Sequence, residues 1–148
     1  MDKLKTLEAV KNARKSHESQ MAKIEAVING HTVDTPTVVS KSKCNFGLWL
    51  YDDENHIKEI LGSQFYDKIE FLHAQWHTEY TKIFEIFFKE EKKGFFEKIL
   101  GSKKKVEGME LDKAKLYHEN LLITTKELLK VLVSSERRIE AMSESKFS

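Results

Sequence analysis

Apolar side chains recur every three or four positions over three long stretches of the chain. That is the period of an α-helix with one buried face. The first stretch predicts a helix from about Asp2 to Asn29, with Leu7, Val10, Met21, Ile24 and Ile28 on the apolar side. Continuing the spacing between Val10 and Met21 adds Arg14 and His17. Gly30 stands just past the end, where a left-handed residue is readily accommodated. A polar, irregular linker, HTVDTPTVVSKSK, surrounds the only proline, Pro36. The segment CNFGLWLY, residues 44–51, predicts one or two helical turns, ended by Asp52, Asp53 and Asn55. The longest helix is expected to start near Ser63, with Ile69, His73, Trp76, Tyr80, Ile83 and Phe87 along one seam. A closing helix runs from about Leu111 to Met142, with Leu111, Ala114, His118, Leu121, Thr125, Leu128, Leu132, Ser135, Ile139 and Met142 on its seam. Between these two helices the pattern loosens over 91–108 into a loop or helix extension. Thr32 to Val39 is the one β-branched run, and no internal repeat is evident, so an all-α bundle is the predicted architecture.

Composition narrows the class. The chain of 148 residues is about one domain by the prior of roughly 100–200 residues per domain. Lys and Arg total 25 against 24 Asp and Glu, so no field of one sign favours nucleic acid or an acidic membrane. A single cysteine cannot form an internal disulfide, and nothing points to an oxidising compartment. The N-terminus has no uninterrupted apolar core and does not read as a signal peptide. No window approaches the ~18 apolar residues of a membrane span, so a cytoplasmic location is expected. The aromatic run Phe84, Phe87, Phe88, Phe95 and Phe96 is read as core and dimer packing.

The chemistry lies in the histidines. His17, His73 and His118 fall on apolar faces, and His77 lies one turn beyond His73 on the same side. A lone histidine on an apolar face is more often hydrogen-bonded packing than a ligand. A pair at i, i+4 can converge on one point. Taking the first helix up, the long helix down and the last up, His17 lies about 18 Å below the top of its helix. His73 and His77 lie roughly 15–21 Å below the top of theirs, at the same level. That register excludes His118. The linker from Gly30 spans at most about 46–50 Å when extended, so Cys44 can fold back to the same level. One thiolate and three imidazoles would then meet, a tetrahedral donor set that suits zinc. Phe46, Trp49 and Leu50 would anchor the short helix and keep water from the sulfur.

CNFGLWLY, an upstream histidine and HAQWH together resemble the chemoreceptor zinc-binding domain family. His17 precedes Cys44 by 27 residues and His73 follows it by 29, which matches the order and approximate spacing of the family's ligand positions. The likeness is strongest over residues 10–90, and 109–143 would close the bundle. The resemblance implies an antiparallel four-helix bundle with a short extra helix carrying the cysteine. It implies a zinc site of His17, Cys44, His73 and His77, with Phe46, Gly47, Trp49, Leu50 and Trp76 packed around it. It further implies a bacterial cytoplasmic regulator of chemotaxis or cyclic-di-GMP signalling, usually a homodimer, partnered by a chemoreceptor or a diguanylate cyclase. Such a module would sense zinc itself or oxidants that attack Cys44. The chain carries neither a signalling rod nor a cyclase and so resembles a free-standing module.

Other readings remain at this point. A metal-free interaction bundle would use the same histidines for packing alone. An enzyme would need an open zinc position, and no glutamate sits inside HAQWH as in HExxH. A di-iron centre needs Glu-x-x-His from two helices, and only Glu70-x-x-His73 is present. Glu70 and Glu79 are expected to be solvated, as are His31 and His56, while His118 is expected in a core or interface.

Overall fold

The computed structural model describes residues 1–88 and 106–147. Among them every regular element is helical. The helices are α1 (Lys3–Ile28), α2 (Asn45–Leu50), α3 (Ile57–Leu61), α4 (Ser63–Phe87) and α5 (Gly108–Ala141). Short 3-10 turns occupy Asp53–Asn55 and Glu144–Phe147. The expected loop or extension over 91–108 lies outside the described residues except at its last three positions.

α1 starts where its sequence supplies a cap. The Asp2 carboxylate accepts from the Lys5 N–H at 2.7 Å, satisfying a donor that the helix itself leaves free. The helix ends at Asn29, and Gly30 follows at φ +92°, a conformation that costs a residue with a Cβ. Its buried face is Thr6, Val10, Ala13, His17, Met21, Ile24 and Ile28. Ala13, rather than Arg14, continues the seam from Val10. Arg14 sits at the edge, where its guanidinium meets Glu136 at 3.3 Å. α4 buries Ile69, Leu72, His73, Trp76, His77, Tyr80 and Ile83, the expected seam, with Phe87 partly covered. α5 buries ten residues, and it, not α4, is the longest helix, at 34 residues against 25.

α5 packs along both α1 and α4. Lys3 reaches the Glu140 carbonyl and Arg14 reaches Glu136, so α1 and α5 run in opposite directions. Arg138 lies over Phe65, Trp76 Nε1–H donates to Thr125 Oγ1, and Lys82 lies over Tyr117, so α4 also opposes α5. α1 and α4 are therefore parallel, and the up, down, up order used for the height estimate does not hold. His17 and His73 are level nonetheless, because each lies near the middle of its helix. The return path between α1 and α4 is the linker with α2 and α3. Thr37 pairs with Tyr80, Val39 with His77, Cys44 with His73 and Lys41 with Glu70, so this limb descends along α4. It is mostly non-helical, and side chains of α4 meet its backbone at Thr37 and Val39.

α3 had no signal in the sequence. It is a single turn, with Ile57, Ile60 and Leu61 buried, set off by His56 at φ 51° and Gly62 at φ 85°. A segment this short shows too little period to be distinguished from the start of α4.

Candidate metal centre

Cys44 is the N-cap of α2. Its backbone is extended, at φ −72° and ψ 157°, and its sulfur accepts from the Gly47 N–H at 3.2 Å. The thiol proton has two acceptors, each 3.4 Å away: the Lys41 carbonyl and His73 Nε2. Gly47 is required here because a Cβ at that position would lie 1.7 Å from the Lys41 carbonyl oxygen. The chain thus folds back on itself in one tight turn and presents the sulfur inward, 6 % exposed.

The imidazoles are set by their helices and by their second nitrogens. His17 Nδ1–H donates to the Ala13 carbonyl at 2.7 Å, and His77 Nδ1–H donates to the Val39 carbonyl at 2.9 Å. A proton on Nδ1 leaves Nε2 as a lone pair. His17 Nε2 and His77 Nε2 are both buried with no hydrogen-bond partner among the described residues. His73 turns Nε2 to the Cys44 sulfur and Nδ1 to the Tyr51 hydroxyl, 3.5 Å away. Tyr51 in turn donates to Glu70, whose other oxygen accepts from Lys41 at 2.7 Å.

Cys44, His73 and His77 each place one ligand atom within 4.8 Å of the others. Zinc with nitrogen at roughly 2.0–2.1 Å and sulfur at roughly 2.3 Å sets ligand atoms about 3.3–3.7 Å apart in a tetrahedron. The 3.4 Å between sulfur and His73 Nε2 already has that spacing. His17 stands beside this trio rather than within it, its ring centroid 5.8 Å from that of His73. Trp76 meets the His17 ring edge-on at 4.9 Å, and Phe46 meets His73 edge-on at 4.9 Å. Trp49 stacks on Phe46, and Leu50 is buried below it. Water is excluded on these sides.

Burial sets the electrostatics. Loss of solvent pushes His17 down to about 4, against the partial support of its Ala13 hydrogen bond. It pushes His73 down to about 2, helped by the neighbouring His77. His77 is lowered for the same first reason, and the Cys44 thiol is raised. Neutral imidazole is the form that binds a metal, so the three rings stand in ligating form at neutral pH. The donor set fits a zinc ion: two buried lone pairs lack any other partner, and a bound cation would hold the sulfur as thiolate.

Glu70 is not the solvated residue the sequence implied, since both of its oxygens are engaged. That engagement also turns it away from a di-iron role. Glu79 likewise accepts from Gln75 and has its second oxygen buried. His31 and His56 are exposed, as expected. His118 is half-buried at the far end of α5, near Glu25, and takes no part in the cluster. Sequence reasoning missed Lys41, Tyr51 and Glu70. Tyr51 closes the quoted motif and Glu70 lies one turn before His73, so spacing held a signal for both.

Among the described residues, a buried thiol facing imidazoles in an all-helical fold fits a cysteine–histidine metal site. Residues 17–84 match the family model of the chemoreceptor zinc-binding domain. His17, Cys44, His73 and His77 all fall inside the match. No curated protein and no solved structure matches the chain. No helix among the described residues is long and apolar enough to cross a membrane.

Proposed function

We propose that the chain is a zinc-binding sensory module, not an enzyme, in which Cys44, His17, His73 and His77 together hold one Zn2+. The observation that carries this reading is the pair of buried, unpartnered Nε2 atoms beside the Cys44–His73 contact. In a metal-free bundle each would forfeit about 1–3 kcal/mol of hydration without return. Four protein ligands would leave no open position for a substrate water, which argues against catalysis.

Bound zinc supplies one thing here: it keeps the sulfur deprotonated at neutral pH. The thiolate is the form that oxidants attack. With hypochlorous acid the sulfur gains oxygen and becomes a sulfenic acid, while chloride leaves with the electron pair. Sulfenic sulfur is a poorer ligand, and thiol reductants restore it. Cys44 caps a six-residue helix after an irregular segment, whereas the histidines sit on long packed helices. Release of the sulfur therefore moves α2 first, and α2 is the element that would report to a partner. The fold is then a four-membered antiparallel bundle whose second member is the broken limb. Self-association is supported by Phe71 on α4 and by Leu116 and Ile123 on one face of α5, all well exposed. A chemoreceptor or a diguanylate cyclase in a bacterial cytoplasm is the partner class the family points to.

The test is metal content after purification under reducing conditions. One zinc per chain is expected for wild type. Removing the sulfur in Cys44→Ala should lower occupancy and abolish any oxidant response, with helicity retained. A metal-free wild-type protein that also fails to take up added zinc would refute the proposal.

A further inference from the structure

Lys41 and Tyr51 flank the turn that carries Cys44, three residues before it and seven after. Both are held by one carboxylate. Glu70 Oε1 accepts from Lys41 Nζ at 2.7 Å, and Glu70 Oε2 accepts from the Tyr51 hydroxyl. The Lys41 ammonium also lies over the Tyr51 ring, 5.4 Å from its centroid. The same two residues touch the candidate ligands. The Lys41 carbonyl faces the Cys44 sulfur at 3.4 Å and packs on Gly47 with no room for a Cβ. The Tyr51 oxygen, its proton given to Glu70, stands 3.5 Å from His73 Nδ1, placed to accept that N–H.

We propose that Glu70 is the latch of the cysteine segment: through Lys41 and Tyr51 it pins both ends of the 41–51 turn to α4, and through Tyr51 it fixes His73 with Nε2 toward the sulfur. This rests on the zinc reading above. Glu70, Tyr51 and Lys41 act as positioning residues and touch no metal. Glu70 lies on α4 one turn from His73, so the helix that supplies two of the imidazoles also sets how firmly the sulfur is held. Partners that orient a ligating histidine commonly govern metal affinity by roughly 10–100-fold. A latch made of hydrogen bonds to a surface-accessible ammonium and a phenol opens without unfolding the long helices. Cys44 can therefore leave as a unit with α2.

The experiment compares wild type with Tyr51→Phe, Lys41→Met and Glu70→Ala. Zinc stoichiometry and affinity are read by competition with a chromophoric chelator. Cys44 alkylation by iodoacetamide is timed in zinc-loaded and zinc-free protein. Imidazole nitrogen shifts report the His73 tautomer in the zinc-free state. All three variants should keep one zinc per chain. Tyr51→Phe should weaken it by roughly 10–100-fold, and Glu70→Ala by at least as much, with faster alkylation in both metal states. Lys41→Met should speed alkylation while leaving the tautomer unchanged. Zinc-free wild type should carry the His73 proton on Nδ1, and Tyr51→Phe should mix the tautomers. Affinity and alkylation indistinguishable from wild type in Tyr51→Phe and Glu70→Ala would overturn the latch. So would a weakened Glu70→Ala with an unaltered tautomer in Tyr51→Phe, which would leave Glu70 a purely structural role. A wild type that takes no zinc would instead refute the zinc reading. The tautomer and alkylation data from zinc-free protein would still judge the latch.

Discussion

The three long helices and the limb between residues 31 and 61 are held in different ways. The helices meet through a continuous apolar seam in which Trp76, Tyr80, Leu121, Leu128, Leu132 and Ile139 are wholly buried. The limb lends Phe46, Leu50, Ile57, Ile60 and Leu61 to the same core, but its 37–51 stretch is also fastened to α4 by discrete polar contacts: Thr37 to Tyr80, Val39 to His77, Lys41 and Tyr51 to Glu70. Loss of buried apolar area is felt across the fold, while loss of one hydrogen bond costs about 0.5–1.5 kcal/mol and stays local. With histidines on the first kind of scaffold and a cysteine on the second, the proposed zinc site would have a fixed part and a releasable part.

The largest expected effect breaks the fixed part. Trp76 is fully buried, touches His17 and His77, and donates to Thr125 at 2.9 Å. Trp76→Ala should cost about 3–5 kcal/mol in chemical denaturation and displace the imidazoles with it. Acid comes next. The folded pKa of His17 is depressed to about 4 from 6.5, so between those values the unfolded chain binds more protons than the folded one. Stability of zinc-free protein should be full above pH 6.5 and fall toward pH 4, by up to about 3 kcal/mol from His17 alone. Denaturation midpoints measured across that range check the slope, and His17→Leu should make it shallower, with His73 and His77 keeping the remainder.

Zinc removal is third. Chelation should lower stability by ~2.7 kcal/mol relative to protein held at 100 times the dissociation constant, with far-ultraviolet helicity nearly unchanged. A large loss of helicity on chelation would mean that the limb and the long helices unfold together. A change confined to the cysteine turn should disturb the fold least. Gly47→Ala forces a Cβ against the Lys41 carbonyl, so the 41–47 turn must open. Zinc affinity should fall by at least about tenfold, or 1.4 kcal/mol, with the thermal midpoint of the zinc-free protein little changed.

The long helices were legible because each repeats its apolar period over many turns. The seams of α4 and α5 were readable nearly residue for residue. The choice of Ala13 over Arg14 was not, since spacings of three and four both continue a helical face, and only α5 with its Glu136 decides between them. Helix direction was also hidden. The descending limb takes the place of a helix, and its path depends on tertiary hydrogen bonds that no periodicity records. That Cys44, His73 and His77 come together was legible from the one-turn spacing of His73 and His77 and from the reach of the linker before Cys44. Glu70 was not, because a glutamate on a helix surface looks the same whether water or a tyrosine meets it.

X-ray absorption at the zinc edge reads the ligand shell itself. The expected spectrum from reduced, zinc-loaded protein has one sulfur at about 2.3 Å and three nitrogens at about 2.0–2.1 Å. A zinc shell of nitrogen and oxygen alone, with Cys44 present and reduced, would contradict it.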